Sequence, residues 1–456
     1  MVNETTNGVD LITGDPKKAI VKLAVPMVLS FILIMAYNIV DSIWVAGLGT
    51  DALAALGFIS PVYMILIGIG TGMGVGATSL IARSIGADDK KTANNAGLHS
   101  ILLMVILSII IPILAVIFID PLLVALGAQK VLSIAKEYGL IVFICSFTVF
   151  FSMMGSAILR GEGDVKRATI IMALTSVLNM ILDPIFIYVF GWGMAGAAIA
   201  TVLSSLVSAV IIFYWILVKK DLYLDLNLNE FIYDSKIVKD IISVSIPSSL
   251  EEIIIQIVAM VINLMLTIIA GTTAVAVFTV GWRIVSLGMV PALGLAMSAL
   301  TVGGVAYGAK NFENLKITLN YSIKIGLLMS IIITALMYVL SPQIAYIFAY
   351  SGDPVLLLQL ESFIRVICLF LLPIPVGAIA AYLFQGVGKG TISLVLTVLR
   401  ELIFVLVFSY ILGFVLNFGE QGVWWGLIVG VTIGSVMSYF AFKLFIRHSE
   451  NNLDGI

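Results

Sequence analysis

Residues 20–46 read IVKLAVPMVLSFILIMAYNIVDSIWVA, with Asp41 the one acid and Lys22 the only other charge. A helix rises 1.5 Å per residue, so about 20 apolar residues cross a hydrocarbon core of about 30 Å. The stretch therefore reads as a membrane-spanning helix. An ionisable group inside it costs about 3 kcal/mol or more, which makes Asp41 a functional candidate by default. Tyr37, four residues earlier, lies on the same helix face.

The same pattern recurs along the chain. Of its 456 residues 61% are hydrophobic and 11% charged, against about 25% charged in a soluble domain. Twelve apolar segments are expected, near 20–46, 52–82, 93–119, 131–158, 165–190, 193–218, 237–268, 273–305, 315–348, 356–385, 391–416 and 422–446. The connections on one side carry eighteen Lys and Arg, from Lys17 to Arg447, and the other side only Lys130 and Lys136. By the positive-inside rule both termini are cytoplasmic, in the cell membrane.

Two halves superpose in sequence at a shift of about 221–222 residues. Ala24-Val25-Pro26 matches Ser245-Ile246-Pro247, Gly49-Thr50-Asp51-Ala52 matches Gly271-Thr272-Thr273-Ala274, and Asp120-Pro121 matches Ser341-Pro342. Six spans per half make the halves parallel, related by a pseudo-two-fold axis along the membrane normal. The fold class expected is thus an all-α polytopic membrane protein of two six-helix bundles. The domains are a tail (1–16), a bundle (17–218), a linker (219–236), a second bundle (237–447) and a tail (448–456).

Several chemistries are excluded. A net charge of −2 argues against a nucleic-acid partner, and two histidines with two cysteines make neither a metal cluster nor a catalytic dyad. The glycines at 68, 70, 72, 74 and 76 lack a following Gly-Lys-Ser/Thr, so they read as close helix contacts and not as a phosphate loop. The chain is expected to be no enzyme, to need no cofactor and to draw its energy from an ion gradient.

In the first half, Asp41 and Asp183 lie about 8–11 Å below the outer surface. Asn179 shares the face of Asp183, Thr201 in the sixth span reaches a similar depth, and Pro184 frees the carbonyl of Met180. The set suits a shared proton or Na⁺, with Asp41, Asn179, Asp183 and Thr201 as the possible Na⁺ ligands. Pro26, about 22 Å from Asp41 along the helix, is either a hinge or a packed kink. Met35 and Met172, among other methionines, are candidates for an adaptable substrate cavity. In the second half Glu361 and Arg365 are an i,i+4 pair, and Arg283 and Arg400 are available to neutralise Glu251, Glu252 or Glu401.

Twelve spans in two repeats, Pro26 and Asp41 in span one, Asn179 with Asp183-Pro184 in span five, and Gly193 to Thr201 opening span six resemble the MATE (multidrug and toxic compound extrusion) transporters. Within that family the chain is most similar to the DinF-type branch. The resemblance implies an antiporter exporting cationic or amphipathic organic compounds in exchange for H⁺ or Na⁺. Tyr37, Asp41, Asn179, Asp183 and Thr201 would then form the ion site, Pro26 the bending point, and Tyr138 a polar cavity residue. Partners would be the organic substrate and membrane lipid, with the monomer as the functional unit. A flippase for a lipid-linked oligosaccharide is the alternative. It would need a cationic cavity, for which Arg283 and Arg400 are the candidates.

Overall fold

The computed structural model describes residues 6–219, 221–348 and 354–454. Residues 1–5 of the first tail, Lys220 of the linker, 349–353 between the ninth and tenth spans, and 455–456 of the last tail lie outside them. The described residues form helices and no strand.

Six helical crossings make up the first half. They are Pro16–Ala46, Thr50–Gly86, Lys90–Ala125, Leu132–Ile144 bent by 50° into Ser146–Gly161, Val165–Pro184 with its extension Ile185–Val189, and Gly193–Phe213. In the second half Ser235–Gly308 holds two crossings, broken at Gly271 with φ 76° and ψ −165°. Only glycine adopts that backbone without strain. Phe312–Val339, Pro354–Ile367 bent by 43° into Ile374–Gly386, 390–415 and Gly419–Asp454 follow. The twelve crossings expected from the sequence are all present among the described residues.

The bends have local causes. Pro373 has no N–H to return to the Leu369 carbonyl, which accepts from Leu372 N at 3.2 Å and tightens the turn. At Cys145, where no proline stands, the carbonyl takes both the backbone N–H and the hydroxyl of Thr148, at 3.0 and 2.9 Å. The ninth span is shorter than expected: it stops at Val339, and Ser341–Phe348 is a separate helix. Pro342 supplies no N–H for the Tyr338 carbonyl, and the Ser341 hydroxyl donates to it instead at 2.9 Å.

The chain packs as two units. One comprises 6–14 and 29–249, the other 15–28 and 250–454. Packing therefore changes unit in the middle of two helices, each time two residues after a repeat-related proline, Pro26 and Pro247. A helix half that packs differently from its other half is where a missing hydrogen bond costs least.

Within the first unit the glycine row of the second span does bring helices together. A Cβ on Gly72 would lie 2.7 Å from the Ser245 carbonyl oxygen, and one on Gly76 2.6 Å from that of Ile241. The 221–234 segment docks on the cytoplasm-assigned ends of the third and fourth spans. Leu224 and Leu226 are buried there, Asn95 bonds both Ile232 backbone groups, and buried His99 accepts from Asp234 N at 3.0 Å. Glu162, just past the end of Ser146–Gly161, is 1% exposed and accepts from Leu224 N at 3.2 Å. Burial pushes its carboxyl up from 4.5 to about 8.

In the second unit Gly430 lets the last two crossings touch through their backbones. A Cβ there would lie 2.6 Å from Val405 Cα. Gly430→Leu is expected to destabilise the fold by about 3 kcal/mol, because neither backbone can withdraw alone. A thermal unfolding scan in detergent checks this, and an unchanged midpoint would contradict the close approach.

Candidate functional site

The residues of the site come from five crossings of the first unit. Asp41 and Tyr37 lie in the C-terminal half of the first, Tyr63 in the second, Tyr138 in the fourth, Asn179 and Asp183 in the fifth, and Thr201 in the sixth. The fifth crossing continues past Pro184 through a widened π turn, Ile185–Val189. The sixth approaches this turn closely, since a Cβ on Gly196 would meet the Phe186 carbonyl at 2.6 Å. That close approach sets Thr201 beside the fifth crossing.

Asp183 is fully buried and Asn179 is 2% exposed. The Asn179 amide donates to Thr201 Oγ1 at 3.2 Å and makes a longer contact, 3.5 Å, to Asp183 Oδ1. The carboxyls of Asp41 and Asp183 are close enough to act on each other electrostatically. Asp41 Oδ1, Asp183 Oδ2 and Asn179 Oδ1 are buried with no donor aimed at them. Among the described residues no lysine, arginine or histidine forms an ion pair with either acid.

Tyr138 is buried near Thr201, and Tyr37 lies near Tyr63. The structure thus brings together Tyr37, Asp41, Tyr138, Asn179, Asp183 and Thr201. Met35 and Met172 are half-buried. Pro26 belongs to the second unit, as does buried Met27 beside the Ser298 hydroxyl at 3.5 Å. Tyr63 was not singled out from sequence: a tyrosine in an apolar helix is ordinary, and only its position near Tyr37 distinguishes it.

Chemically, two neighbouring carboxyls without a basic partner can share a proton, and three buried oxygens without donors invite a small cation. No nucleophile–base pair is present in this set. Binding and release of an ion is what it can do.

A family model, MatE, matches residues 26–185 and again 247–411, one match in each half and in the register of the internal repeat. The chain belongs to the MATE family. It is a multi-pass membrane transporter and not an enzyme. A probable multidrug resistance protein NorM of Thermotoga maritima is 26% identical over 93% of this chain and 92% of its own length. Two solved MATE-fold structures overlay closely. One is the outward-facing conformation of a multidrug resistance MATE family transporter of the MOP superfamily (41% identity, TM-score 0.96, 98% of this chain and all of that one). The other is a MOP superfamily transporter from Pyrococcus furiosus, described as having a binding pocket of reversed polarity (40%, TM-score 0.94, 98% and 99%).

Among the charged residues of the second unit, one of the partners open to Arg400 is taken and the others are left. Glu361 and Arg365 do pair, at 2.7 Å. Arg400 binds its neighbour Glu401, Nε to Oε1 at 2.8 Å, and not Glu251 or Glu252. Arg283 is exposed. The reason is direction: adjacent residues on a widened helical turn, Val398–Phe404, reach each other before either reaches across to another crossing.

Proposed function

We propose that this MATE transporter is a secondary antiporter that exports cationic or amphipathic organic compounds in exchange for an inward-moving ion. The observation that carries the reading is the pairing of buried Asp183 with half-buried Asp41 as neighbouring acids, neither with a basic partner among the described residues. A charge-compensating ligand is what such a pair lacks, and either a small cation or an organic cation supplies it. Occupancy by one excludes the other, so the gradient of the ion drives release of the compound, a coupling through one shared charge.

The coupling ion we assign is the proton, because two close carboxyls with no basic partner do not both stay ionised. Na⁺ at Asp41, Asn179, Asp183 and Thr201 is the competing assignment. Pro26 is the bending point of the first helix, and Tyr138 with Tyr37 lines the cavity. Both termini are assigned to the cytoplasmic side of the cell membrane, the chain to the DinF-type branch, and the monomer is taken as the working unit. The flippase alternative loses Arg400, which is bound to Glu401, as a ligand for pyrophosphate.

Proteoliposomes under separately imposed pH and Na⁺ gradients test the assignment. An outward flux of a labelled organic cation is expected with the pH gradient alone. Flux with the Na⁺ gradient alone would replace the proton by Na⁺, and flux with neither would end the antiport reading.

A further inference from the structure

Glu251 lies in the apolar helix that opens the second unit and is 8% exposed. Its Oε2 accepts two hydrogen bonds, from Gln385 Nε2 and Thr397 Oγ1, both at 3.2 Å. Gln385 Nε2 also reaches Ser393 Oγ at 3.4 Å. The other carboxylate oxygen, Oε1, is buried with no donor. Two other crossings thus converge on one acid, and among the described residues it forms no ion pair.

The surrounding charges leave it that way. Arg400, the nearest base, is bound to Glu401 at 2.8 Å, and Glu252 is its half-buried neighbour on the same helix. From the tenth and eleventh spans it is faced by the neutral Gln385, Ser393 and Thr397. A buried acid kept from its counter-ion, with one oxygen held and the other vacant, is a group built to gain and lose something small. Two donors already on Oε2 leave Oε1 for a single proton, and one vacant oxygen is too few for a metal cation.

We infer that Glu251, held by Gln385 and Thr397, is a second proton-binding site, separate from the Asp41–Asp183 pair. The inference rests on the antiport reading and deepens it. The pair in the first unit shares one proton, and Glu251 carries another. Exchange against a monovalent organic cation then moves net positive charge inward, so a membrane potential that is negative inside accelerates export.

Glu251→Gln keeps the shape and an acceptor oxygen but cannot be protonated. In proteoliposomes the variant is expected to halve the ratio of protons taken up to organic cation exported and to lose the dependence on membrane potential. A wild-type ratio and voltage dependence in the variant would overturn the proposal. Infrared difference spectra across a pH titration, taken without substrate, give a reading independent of transport. One component of the protonated-carboxyl C=O band is expected to disappear in Glu251→Gln and to survive in Asp41→Asn. A band unchanged by Glu251→Gln would sink the second site even if antiport stands, and its loss would support the site even if antiport fails. Should that variant not fold, Thr397→Val removes one donor and is expected to move the midpoint of the same component. An unmoved midpoint would count against the site.

Discussion

Replacing Asp41 by Asn is expected to abolish export of organic cations while leaving folding and membrane insertion intact. The substitution keeps size and hydrogen-bonding capacity but removes the charge that the transported ion and the compound compete for. Asp183→Asn is expected to do the same, because the two carboxyls act as one unit. The double variant is then no worse than either single one, the non-additivity expected of neighbouring groups that share one ligand. Resistance conferred on cells, compared at equal protein in the membrane, is the readout. Full resistance from either variant would remove the basis of the coupling mechanism.

The second large effect concerns stability and lies at Glu162. Its carboxyl is raised from 4.5 to about 8 by burial, offset in part by the Leu224 N–H and by Arg167. The folded state therefore holds a proton that the unfolded state releases. Stability is unaffected below about pH 4.5, falls as pH rises through the window up to about 8, and is level above it. The span corresponds to about 4–5 kcal/mol at 1.36 kcal/mol per unit, an upper figure for one group. Glu162→Gln keeps an acceptor for Leu224 N and has nothing to ionise. Its unfolding midpoint is expected to stay flat between pH 5 and 8 where that of the parent declines. Parallel pH profiles for the two proteins would show that Glu162 is not the group responsible.

Much of this was legible in the sequence for physical reasons. Hydrocarbon thickness fixes the length of each apolar run, and loop charge fixes the orientation assigned. Acids are so costly in a span that Asp41 and Asp183 stand out singly, and their equal depth follows from helical rise. What the sequence did not carry is direction. It could not say that Arg400 turns to Glu401 and leaves Glu251 to Gln385 and Thr397, because every acid and base of the second half is equally available on paper. Nor does it show that 15–28 and 29–46 of one continuous helix pack in different units, since both halves are apolar on most faces. The bends at Cys145 and Pro373 and the stop at Val339 escaped because a hydropathy run does not register which carbonyl has lost its partner. Tyr63 escaped because its type is unremarked in a membrane helix.

The account stands or falls on the claim that ion and organic cation compete for the same pair of carboxyls. The most direct measurement is proton release on adding tetraphenylphosphonium to the purified protein in weakly buffered detergent. The parent protein is expected to release protons in proportion to the cation bound, and Asp41→Asn to release fewer. Binding of the cation to the parent with no proton released would contradict the claim.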